Sequence, residues 1–111
     1  MATSSTGLEE NIAGALCYAG GWVTGIVFIL LEDRDRTVRF HAWQSLLTFG
    51  GISVAGLMLH FIPFIGRMLD GLLTLVGLVL WVVLMAKAYQ GEKFKLPVVG
   101  DLAEARVWPG Q

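Results

Sequence analysis

The chain has 111 residues, enough for one domain, and 55% of them are hydrophobic while only 15% are charged. Soluble domains carry about a quarter charged residues, so this composition disfavours a soluble fold. The net charge of −1 gives no basis for binding nucleic acid, and a single cysteine excludes an intramolecular disulfide.

The charged residues leave three uncharged runs, at residues 11–31, 40–66 and 71–86. The sequence therefore predicts an all-α integral membrane protein, a three-helix bundle with transmembrane helices at about residues 11–31, 40–60 and 67–89. Roughly 20 apolar residues cross a hydrocarbon core about 30 Å thick, and the third run reaches this length if Lys87 snorkels. Thr74 is the one polar residue between Asp70 and Lys87, so the third helix is expected to be the most lipid-exposed.

The predicted organisation has three parts: a polar N-terminal segment (residues 1–10), a transmembrane domain (residues 11–90) and a tail with a short C-terminal helix (residues 91–111). Seven lysines and arginines fall on the side of the first connection and the tail, and Arg67 alone falls on the other. Because basic loops remain in the cytoplasm, we expect an N-out, C-in protein of the plasma membrane with a cytoplasmic tail.

Small residues recur at every fourth position of the first predicted helix, at Ala13, Cys17, Gly21 and Gly25. Small side chains let membrane helices approach closely and gain dispersion contacts. This row predicts a helix-packing face, either within one protomer or between protomers.

The second predicted helix carries a polar face in its cytoplasmic half. Four polar residues fall within an arc of about 100°: His41, Gln44, Ser45 and Thr48. Polar side chains are costly against lipid, so this face should meet another helix or a cavity. Two interpretations remain open, interhelical hydrogen bonds worth about 0.6 kcal/mol each and a substrate site.

No catalytic, cofactor-binding or metal-binding residues are predicted. His41 and His60 lie about 28 Å apart on one helix, at opposite faces of the membrane, so one chain cannot bring them to a common haem or metal. No carboxylate stands within a predicted span to act as a base, and no nucleophile–base pair is visible. The sequence therefore predicts a protein that is not an enzyme.

The tail is expected to fold back under the cytoplasmic end of the second helix. Asp101 would cap the short tail helix, and its carboxylate or that of Glu104 would lie near His41 or Arg39. The predicted docking residues of the tail are Lys95, Pro97, Asp101 and Glu104.

Three segments resemble a family of small prokaryotic membrane proteins that is known only as uncharacterised. They read NIAGALCYAGGWVTG, VRFHAWQS and FKLPVVGDLAE, and they extend over most of the chain. The family is distantly associated with the Tic-twenty subunit of the chloroplast inner-envelope import machinery. The resemblance implies no established activity, and it implies signature positions at His41, Gln44, Ser45, Lys95, Leu96, Pro97, Gly100 and Asp101.

The leading functional hypothesis is a non-enzymatic subunit that packs into a homo-oligomer or a larger membrane assembly. Three helices bury little surface among themselves, and the first helix offers a packing face. The partners would be the lipid bilayer and either another copy or a different membrane protein. The alternative is a small transporter or protein-translocation component, lined by the polar face of the second helix.

Overall fold

The structure is a computed structural model that describes residues 7–33 and 35–107. Within these residues the chain forms five helices and no strand, so the predicted all-α class is confirmed. The helices are α1 (Glu10–Ala19), α2 (Trp22–Leu31), α3 (Arg36–Leu59), α4 (Ile65–Tyr89) and α5 (Val99–Val107). Residues 1–6 and 108–111 of the predicted N-terminal segment and tail, and Arg34 of the predicted first connection, lie outside the described residues.

The first predicted helix is two helices, because the chain turns back at Gly20 and Gly21. Gly21 has a φ of 64° and a ψ of −140°, a conformation that glycine adopts without a steric penalty. The hydroxyl of Thr24 accepts a hydrogen bond from the Gly20 N–H and donates one to the Cys17 carbonyl, both at 3.0 Å. These bonds replace backbone partners that the break removes. The prediction of one continuous helix over residues 11–31 is therefore wrong.

The helices α1 and α2 form a hairpin that packs against the first half of α3. Leu8, just before α1, and Ile29, near the end of α2, pack against one cluster that includes Val38 of α3. A continuous helix would hold residues 8 and 29 about 30 Å apart. The neighbouring carboxyl group of Asp35, which precedes α3, also raises the pKa of Glu10, so the two residues lie close together. The first residues of α1 and α3 and the last residues of α2 therefore lie together.

The last residues of α4 lie at the same end of the molecule. The side-chain amide of Asn11 donates a hydrogen bond to the carbonyl of Tyr89 at 3.0 Å. We call this end the base, and the opposite end, which holds the connection from α3 to α4, the loop end. The three-span prediction places the N-terminal segment and the tail on opposite sides, and the contact between Asn11 and Tyr89 does not support it.

Two of the described helices, α3 and α4, are long and apolar enough to cross a bilayer, with 24 and 25 residues. The helices α1 and α2 have 10 residues each. At the usual helical rise they measure about 15 Å, half of the hydrocarbon thickness. The hairpin accordingly reaches the middle of α3, where the Ser45 hydroxyl donates to the Gly21 carbonyl at 2.9 Å. The described residues thus contain two candidate spans and a hairpin of half that length, and the third predicted span is not confirmed.

The helix α3 begins at Arg36 rather than at about residue 40, because Asp35 caps it. The Asp35 carboxylate accepts hydrogen bonds from the backbone N–H groups of Thr37 at 3.0 Å and Val38 at 3.2 Å. The helix α4 begins at Ile65 rather than at about residue 67.

The tail folds back along α3. Gly91, with a φ of 83°, ends α4 in the left-handed conformation that commonly closes a helix, and Val98 turns the chain again before α5. Leu96 is buried between α1, α4 and the tail itself. The helix α5 then returns towards the base, with Ala103 buried against Phe40 of α3.

The two halves of the molecule differ in thickness. In the base half the hairpin and the tail surround α3, whereas in the loop half no other described helix covers α3 and α4. Leu57 is 63% exposed there and Met68 is 77% exposed. Only 11% of the most apolar stretch of α4 is buried, compared with 28% for α3, in agreement with the expected exposure of the last long helix.

Candidate functional site

The base half encloses a network of hydrogen-bonded polar side chains. The Tyr18 hydroxyl lies 2.8 Å from Nδ1 of His41, and it accepts a hydrogen bond from Nε2 of Gln44 at 3.0 Å. The hydroxyl can donate to Nδ1 or accept from it, so either tautomer of a neutral His41 satisfies this contact. None of these three side chains is more than 3% exposed. The network therefore joins α1 to α3 away from solvent.

Gln44 also holds the tail. Its Nε2 donates to the carbonyl of Phe94 at 2.8 Å, and its Oε1 accepts from the N–H of Leu96 at 3.0 Å. The amide thus satisfies two backbone groups of a segment that lies between α4 and α5. Gly100 allows the close approach, since a Cβ there would lie 2.7 Å from the Cβ of Lys95 and 3.1 Å from Oε1 of Gln44.

The tip of the hairpin is closed by side chains of both long helices. The indole N–H of Trp81 donates to the Tyr18 carbonyl at 2.7 Å, and the Ser45 hydroxyl bonds the Gly21 carbonyl. A broken helix is tolerated at membrane depth only where its freed backbone groups find such partners. The break at Gly20 and Gly21 meets this condition.

The structure divides the predicted row of small residues between two helices. Ala13 and Cys17 on α1 are fully buried, and Gly25 on α2 packs so closely on α3 that a Cβ would lie 2.9 Å from the Ala42 carbonyl oxygen. Gly21 serves the turn instead, since the nearest atom to its Cβ position is 3.8 Å away. Ala13, Cys17 and Gly25 thus pack within the protomer, and packing between protomers stays a prediction.

The charged residues of the tail pair with one another. Lys95 lies 3.0 Å from Asp101 and 3.2 Å from Glu104, and Lys93 lies 2.8 Å from Glu104. The hydrogen bonds from Lys93 and Lys95 lower the pKa of Glu104, and those with Asp101 and then Glu104 raise the pKa of Lys95. These exposed pairs order the tail on its outer surface.

No hydrogen bond or ion pair among the described residues joins a tail carboxylate to His41 or Arg39, so their predicted approach stays a prediction. His41 is bonded to Tyr18, and the Arg39 guanidinium donates to the backbone carbonyls of Ile29 and Glu32 at the end of α2. The tail reaches the polar face through its backbone, because its carboxylates are taken by its own lysines.

Thr48 stands apart from the rest of the polar face. Its hydroxyl is buried and has no hydrogen-bond partner among the described residues. Together with Leu96 and Pro97 it lines an apolar groove of about 600 Å³ between α3, α4 and the tail.

A second, polar groove lies in the loop half. It has a volume of about 400 Å³, and its lining includes Ser53, Gly56, His60, Asp70 and Thr74. It continues into a groove of about 360 Å³ that shares Ser53 and Thr74 and ends at Gly20 and Gly21, the tip of the hairpin. Polar groups thus extend from the loop end to the middle of the molecule.

The sequence matches the magnetosome magnetite crystal formation protein family over residues 8–103. The chain belongs to this family. A UPF0132 membrane protein of Methanocaldococcus jannaschii is 56% identical over 104 residues, which cover 94% of each chain. A UPF0132 membrane protein of Archaeoglobus fulgidus is 49% identical over 100 residues, which cover 90% of this chain and 97% of that protein.

The names of these two relatives state a membrane location and no activity. They confirm the predicted family of uncharacterised membrane proteins, and they give no support to a relation with the chloroplast import subunit. No solved structure matches the chain.

In this member of the magnetosome family, sequence reasoning missed Tyr18, Trp81 and the polar groove. Tyr18 and Trp81 stand in uncharged runs that periodicity alone assigns to lipid contact. The charge pattern marks Asp70 only as a boundary of the last helix, although the spacing of Asp70 and Thr74 places both on one helix face. Within residues 7–33 and 35–107, no group of three or more His, Cys, Asp or Glu side chains is placed to hold a metal ion.

Proposed function

We propose that this chain is a non-enzymatic subunit of a membrane assembly in which copies associate through the loop halves of α3 and α4. One observation carries the proposal, the uncovered polar groove of the loop half. Ser53 and Thr74 are exposed there and Asp70 is half-buried. Because polar groups are costly against lipid, a second copy that covers this groove would stabilise the protein.

In this proposal α3 and α4 cross the plasma membrane, and the hairpin of α1 and α2 enters from the base and returns to it. Lysine and arginine favour a cytoplasmic base: Lys87, Lys93 and Lys95 belong to the end of α4 and the tail, whereas Arg67 belongs to the loop end. The N-terminal segment and the tail would then share the cytoplasm.

Labelling of single cysteines tests this topology. In a Cys17→Ala background, we expect an impermeant maleimide to label the F61C variant in intact cells, because Phe61 is 82% exposed in the loop. The E9C variant should be labelled only after lysis, as should the control variant Q90C at the end of α4. Labelling of E9C in intact cells would restore the three-span topology and contradict the re-entrant hairpin.

Cross-linking between copies tests the association. In the same background, oxidation should join T74C copies into dimers in native membranes, because Thr74 lines the groove. The matched control is V82C, since Val82 is 56% exposed on the same helix but nearer the base. Equal cross-linking of the two variants, or a wild-type protein that is monomeric in mild detergent, would contradict the proposal.

A small transporter is the second candidate, favoured by the continuity of the polar groove with the hairpin tip. The route would differ from the one predicted along the polar face of α3, since His41, Gln44 and Ser45 are bonded inside the protomer. An impermeant, charged thiosulfonate added to intact cells distinguishes the candidates. Rapid labelling of S53C would indicate an aqueous route, and protection of S53C would favour the assembly alone.

A further inference from the structure

Asp70 is a carboxylate with no ion-pair partner in the described part of the chain, and it lies on a helix that is long enough to cross a bilayer. It is half-buried in the first two turns of α4, and its Oδ1 rests on α3 where a Cβ at Gly56 would lie only 3.0 Å away. None of the ion pairs among the described residues includes Asp70. A carboxylate at this position is expensive in lipid unless a cation or water reaches it.

Arg67 lies one helical turn before Asp70 and is exposed at the loop end. It takes part in none of the ion pairs among the described residues, although it is close to Asp70 in sequence. The two residues present opposite charges on neighbouring positions of one helix, and both adjoin His60 at the mouth of the groove.

We infer that Asp70 of one copy pairs with Arg67 of a second copy across a twofold axis along the membrane normal. This inference rests on the proposed self-association and identifies its contact. Two copies in the same orientation hold their α4 helices at equal depth, so Asp70 and Arg67 of a second copy differ by about 4.5 Å along the helix. The long arginine side chain spans that difference. An isologous interface forms the pair twice, once on each side of the axis.

Complementary charge reversal tests the pair. The D70R variant carries two cations at these positions and the R67D variant carries two anions, so each should repel its own copies. We expect each variant to associate at least about tenfold more weakly than the wild type, as measured by energy transfer between labelled copies in liposomes. A mixture of D70R with R67D should associate nearly as well as the wild type, because both pairs across the axis are then restored.

The mixture of D70R with R67D distinguishes a contact between two copies from a contact within one chain. A bond between Arg67 and Asp70 of the same chain would be restored in the double variant D70R/R67D but not by mixing the single variants. Restored association in the mixture also shows that both variants are folded. The control is a variant in which the charges of Lys87 and Glu92 at the base are exchanged. These two side chains form an ion pair at 3.0 Å, and the variant should associate like the wild type.

Each of the remaining outcomes contradicts either the charge pair or the proposed assembly. If the wild type associates and the single variants associate equally well, the charge pair is wrong while the proposed assembly stands. If the single variants associate more weakly and neither their mixture nor the double variant regains association, the charge pair is also wrong. If the wild type itself does not associate, both the pair and the proposed assembly are overturned.

Discussion

Replacing Gln44 by leucine should loosen both the core and the tail. Leucine has a similar volume but cannot make the three hydrogen bonds of Gln44, which join it to the Tyr18 hydroxyl, the Phe94 carbonyl and the Leu96 N–H. At about 0.6 kcal/mol for each bond in a membrane protein, their loss amounts to roughly 2 kcal/mol. The buried backbone groups left unpaired add about 1–3 kcal/mol. We therefore expect the Q44L variant to lose about 3–5 kcal/mol of unfolding free energy.

The assay combines unfolding in mild detergent with limited digestion by trypsin. Release of the tail should speed cleavage after Lys93 and Lys95, which the wild type protects by folding the tail against α3. The control is Q90L, the same substitution at an exposed glutamine at the end of α4. If Q44L unfolds within about 0.5 kcal/mol of the wild type and its tail is equally protected, the amide does not anchor the tail.

Two further predictions concern the hairpin. Gly25→Ala should lower stability by about 1–3 kcal/mol, because the new Cβ would lie 2.9 Å from the Ala42 carbonyl oxygen, whereas Gly51→Ala, with nothing within 4 Å, should not lower it; equal thermal stability of the two variants in detergent would refute the close packing. The hydrogen bond to Asp35, then burial, then the charge of Asp35 raise the pKa of Glu10 from 4.5 to about 7. The folded state therefore holds this proton more tightly, so stability should fall as the pH rises from about 4.5 through about 7. Melting curves at pH 5 and pH 8 should show this fall in the wild type and a smaller one in Glu10→Gln.

The long helices could be predicted because their evidence is local. Uncharged runs over residues 40–66 and 71–86 indicate spans of the right length, and α3 and α4 occupy them. Their ends differ by a few residues, because the Asp35 cap starts α3 inside a stretch that charge alone assigns to a loop.

The hairpin could not be predicted from length and hydropathy. A run of uncharged residues from 11 to 31 fits one span or two half-length helices equally well, since hydropathy carries no information on direction. The local signal was Gly20 and Gly21 followed by Thr24, whose hydroxyl serves the broken backbone. Its confirmation needs Ser45 and Trp81, which only the tertiary structure brings to the tip.

The polar face was predicted but its partners were not. His41 and Gln44 stand out in an apolar helix, and the cost of burying them required some partner. Nothing in the sequence indicates that the partner is the Tyr18 hydroxyl and the backbone of the tail, because a backbone group has no residue-specific signature.

The closure of the hairpin tip has a consequence for biogenesis. The Tyr18 carbonyl is bonded by Trp81, which a ribosome adds 63 residues later. Until α4 has been inserted, the Tyr18 carbonyl would keep only its hydrogen bond from the Gly21 N–H, and the Ala19 carbonyl would lack its bond from the indole, so the tip would enter hydrocarbon less well satisfied. The hairpin is therefore expected to wait at the membrane surface while α3 and α4 insert, and to enter last. The first helices to be synthesised would be the last to reach their final depth.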